Sequence, residues 1–231
     1  GVRVLVHGAI ETQGGLLNCS IFREFGVLPA ATRSQAGRQL AENGLALLPT
    51  ALFSPGLAAM LSLRNCLGIR TPAHTLANML MPVVATSSSS LHVLHIAPWL
   101  KPRLADENIV LDAPALLVAT SESSNDRWLE GGAHIAFRDG ETHPGWEVLL
   151  DTDCLSSLIR ASAGAVFDRT PDRNDPRAWA EWTRHCFEGK MAQPQLVANQ
   201  LACCLYGSGY AGSLNQAKAI AAVELSTLAA A

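Results

Sequence analysis

Charge is scarce in this chain, and what there is nearly cancels. Charged residues make up 16% of the 231, with 17 Lys and Arg against 20 Asp and Glu and a formal net charge of -3 at pH 7. Such a balance gives no overall electrostatic drive towards nucleic acid or an anionic membrane, although a local basic groove remains compatible with it. The six cysteines (19, 66, 154, 186, 203, 204) form no C-x-x-C and stand at no spacing from histidine that suggests zinc. Several lie inside apolar runs, as reduced core thiols do, which favours the cytosol and gives no reason to expect a metal site. No apolar stretch reaches the length of a membrane span, and the first residues lack a basic-then-apolar secretory pattern, so neither a membrane partner nor export is expected.

What is abundant is apolar surface. With 48% hydrophobic residues and 18 glycines the chain can bury a substantial core, and one globular domain over 1–231 is expected. Gly1 stands directly before the strand-like VRVLV, which suggests a fragment of something longer. Short β-branched runs at 2–6, 91–96, 115–119, 134–137 and 146–150 read as strands. Segments 16–25, 34–43, 54–66, 72–81, 153–161, 176–188, 194–206 and 213–228 read as helices. Ser54-Pro55 and Thr71-Pro72 place a hydroxyl cap before a first-turn proline. This alternation predicts an α/β fold with a central, mostly parallel sheet flanked by helices. TSSSS (86–90) and DRTPDRNDP (168–176) read as exposed linkers, and there is no internal repeat.

Several motifs dissolve on inspection. GSGYAG (207–212) satisfies G-x-G-x-x-G but follows a helical pattern, whereas a dinucleotide site needs a strand before its glycines; glycine past a helix end is the ordinary stop. His92 and His95, three apart in a strand, fall on opposite faces and cannot chelate simply. Cys203-Cys204 on an apolar helix and the Trp179/Trp182 pair in RAWAEW read as packing rather than as a redox pair or a stacking platform.

One stretch resists that treatment. RNCLGIRTPAHTLANMLMP (64–82) gathers Arg64, Arg70 and His74 around a Leu-Gly-Ile turn in a chain poor in charge. Ungapped, it resembles anthranilate phosphoribosyltransferases in its arginine, Leu-Gly, Arg-Thr and terminal proline. VLVHG (4–8) resembles their strand ending in His-Gly, and the spacing from His7-Gly8 to Phe25-Gly26 is also kept. The resemblance is closer still to a second group in the same glycosyltransferase family three, glycosyl transferase family proteins or DNA-binding relatives. It rests there on VLVHG, LGIRTPAHTLA and NQLACCLYGSGYAGSLNQAKAIAAVE (199–224).

The resemblance implies the family's large α/β domain, without its small N-terminal helical domain or first strand. It also implies a homodimer in the full-length protein, formed through that missing domain. Phosphoribosyl transfer has a dissociative transition state, so such a site holds diphosphate through magnesium and backbone amides while an acceptor nitrogen is positioned below the sugar. Arg64 falls where the family binds the acceptor's carboxylate, a bidentate task suited to guanidinium, although a helix-end arginine also serves the last carbonyls. His7 and Gly8 fall at a strand's C-terminal end, where parallel sheets place ligands; a structural histidine reads equally well. His74 replaces the enzyme's asparagine.

The donor half departs from the family. Its glycine-rich diphosphate loop would precede Gly1. The family's lysine before the histidine is Val6 here, its asparagine after the glycine is Ala9, and its Ser/Lys loop is QGGLLN (13–18), where Gly14 and Gly15 could offer amides to a phosphate. The adjacent Asp-Glu that holds magnesium in the enzyme is missing from ALLVATSESSND (115–126), and Glu122 and Asp126 do not restore its spacing. No cofactor is expected beyond magnesium, and that only if the donor diphosphate binds; no residue is assigned a catalytic role.

Two functions from different classes follow. In the first, a degenerate transferase scaffold binds phosphorylated ligands, including a nucleic-acid backbone, without sequence specificity; His7, Gly8, Arg64 and His74 form the retained ligand site and Gly14, Gly15, Arg70, Lys101 and Arg103 the phosphate contacts. In the second, the chain belongs to an active phosphoribosyltransferase or other N-glycosyl transferase with an altered acceptor. A folded protein–protein module without a ligand is a third reading.

Overall fold

A computed structural model of the chain describes residues 2–8, 17–68, 71–82, 91–96, 114–120, 133–138, 147–151, 171, 175–191 and 195–228. Contacts divide it into two compact units, Gly1–Pro82 with Pro171–Glu181, and Val83–Thr170 with Trp182–Ala231.

The first unit is built on a βαβ arrangement. Strand β1 (Val4–Gly8) is followed by α1 (Leu17–Glu24), α2 (Arg33–Asn43) and β2 (Leu45–Pro49), and the two strands pair in parallel from Val4 opposite Leu45 to Gly8 opposite Pro49. Strand β2 is missing from the strands expected on sequence, although LALLP is a continuous apolar run between a glycine and a threonine. Ala46, Leu47 and Leu48 are all buried there, at 0%, 3% and 5% exposure. Gly44 makes the abrupt return from α2 possible. Its left-handed backbone, φ 72, ends the helix, and its carbonyl accepts the Val4 N–H at 2.8 Å, which starts the strand ladder. Ala30, Ala36, Ala46 and Leu48 form the core, with Leu5, Leu40, Leu52 and Phe53 packed on it.

Beyond β2 a short 3-10 turn (Thr50–Leu52) leads into α3 (Pro55–Ser62), α4 (Arg64–Leu67) and α5 (Pro72–Met79). The helix expected over 54–66 is therefore two, broken at Leu63. Pro55 and Pro72 occupy the first turns as expected, yet Ser54 makes no side-chain capping bond. Leu61, Ala73 and Ala77, with Leu57, pack α3 against α5.

The second unit holds a four-stranded sheet in sequence order: β3 (His92–Ile96), β4 (Ala115–Thr120), β5 (Ala133–Arg138) and β6 (Glu147–Asp151). The α/β class stands, and strand direction refines it: β3 and β4 run parallel, while β4–β5 and β5–β6 are antiparallel. A strand buried on both faces reads as a continuous apolar run whatever its direction, so pattern alone reports burial and not polarity. Helix α6 (Pro176–Phe187) begins in the first unit and ends in the second; α7 (Gln195–Gly207) and α8 (Leu214–Leu228) follow. Leu116 and Ile135 of the sheet bury Cys203 of α7, and α7 joins α8 through Ala202, Leu205, Ala211, Ala217 and Ala221.

Glycines on two helices make opposite demands. A β-carbon on Gly207 would lie 3.0 Å from Leu91 Cδ1 and 3.3 Å from Phe137 Cδ2, whereas one on Gly37, inside α2, would meet nothing within 4 Å. Gly207→Val should therefore lower stability by about 1–3 kcal/mol through overpacking. Gly37→Ala should raise it by roughly 0.5–1 kcal/mol through helix propensity. Urea denaturation of the two variants checks both signs.

Candidate functional site

The C-terminal ends of a parallel strand pair are where open α/β sheets bind ligands, and here they carry His7, Gly8 and Pro49. His7 meets the Phe53 ring edge-on at 5.8 Å between centroids, which sets the imidazole against an apolar wall. Phe53 itself is placed by the 3-10 turn: Phe53 N–H and Ser54 N–H both donate to the Thr50 carbonyl, at 3.2 and 2.8 Å. Arg33, the first residue of α2, donates from Nε to the Leu52 carbonyl at 2.8 Å and ties this turn back to the helix. Thr50 is 1% exposed. Neither Thr50 nor Phe53 stands out in the sequence, because the strand that delivers them is not legible there.

Arg64 begins α4 and is half-buried. Its carbonyl accepts the Gly68 N–H at 2.8 Å, and Gly68 takes the left-handed conformation, φ 68, that ends the helix after one turn. The Leu67-Gly68 pair is thus a helix stop that turns the chain towards α5. His74 is the third residue of α5, and its Nδ1 accepts the Thr71 N–H at 3.2 Å, the position a glutamate or glutamine fills in a capping box. Sequence gives no sign of this capping task. His7 is placed against Phe53, whereas Arg64 and His74 sit on short helices attached to or packed on α3. Gly14, Gly15, Arg70, Lys101 and Arg103 lie outside the described residues, as do Glu122 and Asp126.

Charge along the sequence carries a signal of its own. Between Glu42 and Asp106 there is no aspartate or glutamate, while Arg64, Arg70, Lys101 and Arg103 all fall inside that interval. The net negative charge of the whole chain hides this segregation.

Other candidate chemistry is closed off by burial. Cys203 and Cys204 are held as thiols, both pushed up to about 11 by burial, and Cys19 and Cys186 are raised by the same cause. Trp179 is 5% exposed, which leaves no ring face for a base. Gly209, left-handed at φ 71, follows α7 and donates to the Tyr206 carbonyl at 2.9 Å, so GSGYAG is a helix terminus. Strand β4 ends at Thr120 without a carboxylate, and no group of three or more His, Cys, Asp or Glu among the described residues could hold a metal. No helix among them is long and apolar enough to cross a membrane.

Two independent comparisons meet on this architecture. The chain is 26% identical over 229 residues to anthranilate phosphoribosyltransferase of Desulfitobacterium hafniense (strain Y51), covering 97% of this chain and 64% of that protein. The crystal structure of anthranilate phosphoribosyltransferase from Thermus thermophilus matches all of this chain and 66% of that one, with a TM-score of 0.68 at 21% identity. The chain is similar in sequence and in fold to anthranilate phosphoribosyltransferases. It is also 26% identical over 215 residues to the uncharacterized protein YbiB of Escherichia coli (strain K12), covering 93% of this chain and 63% of that protein. The chain spans just under two thirds of the length of these curated relatives. No family model matches it.

Burial and exposure set the order of thiol reactivity. Cys66, exposed on α4, should be alkylated by iodoacetamide at about pH 7.5 well before Cys203 and Cys204, which are shielded and protonated. Peptide mapping after timed quenching of the native protein reads that order.

Proposed function

We propose that this chain is the α/β part of an anthranilate phosphoribosyltransferase-like protein that binds phosphorylated ligands, including nucleic-acid backbone, without sequence preference and without phosphoribosyl transfer. The observation that carries this reading is the acid-free interval from Glu42 to Asp106 with its four cations. Arg64 and Arg70 have no carboxylate within twenty residues in sequence, while Asp106 and Glu107 follow Arg103 closely, and arginine is suited to phosphate by its planar fork of donors. Loss of the catalytic equipment supports the same reading. Val6 stands where the resemblance calls for a lysine, Ala9 where it calls for an asparagine, and β4 ends at Thr120 without the magnesium pair.

Two consequences separate this from an active transferase. With the metal ligands gone, phosphoribosyl diphosphate and magnesium should not bind jointly with micromolar affinity; a magnesium-dependent micromolar heat in calorimetry would sink the degenerate reading. Binding to labelled oligonucleotides should fall steeply between roughly 50 and 200 mM salt as counterion release predicts, with unrelated sequences binding alike. Arg64→Ala and the double change of Lys101 and Arg103 to Ala should each weaken it and flatten the salt dependence. Fluorescence anisotropy across a salt series measures both, and salt-insensitive or sequence-selective binding would refute the proposal.

A further inference from the structure

Arg33 carries a charge that no carboxylate accounts for. It opens α2, and its Nε donates to the Leu52 carbonyl at 2.8 Å. Leu52 closes the 3-10 turn that follows Pro49, the residue paired with Gly8 at the end of the ladder, and the next residue, Phe53, meets the His7 ring. That one bond sets the guanidinium beside the C-terminal ends of the parallel pair, the end at which open α/β sheets bind ligands. Among the described residues the Arg33 side chain makes no other hydrogen bond and no ion pair.

We propose that Arg33 is a phosphate-contacting residue of this strand-end site, its guanidinium oriented by the Leu52 carbonyl. An acceptor on Nε fixes the plane of the group and leaves the Nη1–Nη2 edge, two parallel N–H groups that match two oxygens of a phosphate. An edge held in place before a ligand arrives removes part of the ordering cost of binding. Lysine keeps the charge but offers its donors on one rotating point, so it cannot hold the carbonyl and present a fixed pair together. The contact belongs to the side chain and not to the helix start. There, Gln35 N–H is already spent on Thr32 Oγ1 and Ala36 N–H on the Thr32 carbonyl.

The distribution of charge favours an anion at this point. Residues 25–105 contain a single acid, Glu42, nine residues along α2 from Arg33 and therefore roughly 13 Å away down the helix axis. Glu24, the nearest acid on the other side in sequence, pairs with Arg177 at 3.8 Å. Residues 1–82 hold six arginines, no lysine and three glutamates, so this part of the chain is cationic although the whole is acidic. Arg33 joins His7 and Gly8 in the ligand site of the proposed function. Its role rests on that reading of the strand ends but not on nucleic acid being the ligand.

Nuclear magnetic resonance on the whole chain tests it, with inorganic phosphate titrated in at constant ionic strength. The Arg33 Nε–Hε signal should shift saturably together with the Gly8 amide. That of Arg38, exposed on the same helix but about 140° further round, should stay still. Arg33→Lys, which retains the charge, should weaken phosphate binding read at Gly8 about fivefold through loss of the fixed fork, whereas Arg38→Lys should not. An unmoved Arg33 signal, equal shifts at Arg33 and Arg38, or an Arg33→Lys protein that binds phosphate like wild type would each overturn the role; the first two readings need no variant. Oligonucleotide anisotropy on the same samples separates the two proposals. A wild-type chain that binds oligonucleotides while its Arg33 signal stays fixed keeps the proposed function and removes Arg33 from it. A saturable Arg33 shift without oligonucleotide binding upholds Arg33 and refutes the nucleic-acid reading.

Discussion

The parallel pairing of Val4–Gly8 with Leu45–Pro49 is the constraint on which the first unit depends. It fixes where His7 stands, because His7 pairs with Leu48 near the end of the ladder, and it delivers Thr50 and Phe53 immediately beyond that end. It also gives α2 its purpose, since Ala36 and Leu40 cover Ala46 and Leu48. Burial of Leu47 and Leu48 stabilises this arrangement by about 1.5–3 kcal/mol each relative to exposure. A parallel pair cannot form from a tight turn; it needs the long crossover that α1 and α2 supply.

The class of fold is legible in the sequence, and particular residues show where legibility stops. Helices with a visible start, such as those at Pro55 and Pro72, lie within a residue of where their prolines put them. Strand β2 does not announce itself, since LALLP is too short for periodicity to separate strand from helix and its partner is about forty residues away. Of the candidate site, His7, Gly8 and Arg64 are reachable through motif and spacing. The employment of His74 is not, because a histidine in place of a capping glutamine shows no pattern until the Thr71 N–H is seen beside its ring. The Phe53 contact is equally silent: it joins residues from two strands' ends, and nothing local in either segment announces the other.

Charge illustrates how an average conceals a distribution. Counted over the whole chain, acids outnumber bases and argue against an anionic partner. Counted by interval, every acid lies at or before Glu42 or from Asp106 onward, and the stretch between is cationic wherever it is charged at all. Fields act over about 8 Å at physiological ionic strength, so a whole-chain total does not describe the charge around any one residue.

The junction of α7 and α8 carries a thermal consequence. It is made from four alanines and a leucine, with Leu201, Tyr206 and Ile220 at its margin. Alanine buries little apolar area, so each buried position here releases less water than a leucine would, and dispersion between the closely packed groups carries a larger share of the cohesion. Dispersion contributes little to the heat capacity of unfolding, which follows hydrated apolar area. This helix pair should hold together on cooling better than a leucine-rich contact of the same strength, whose driving force fades as water orders.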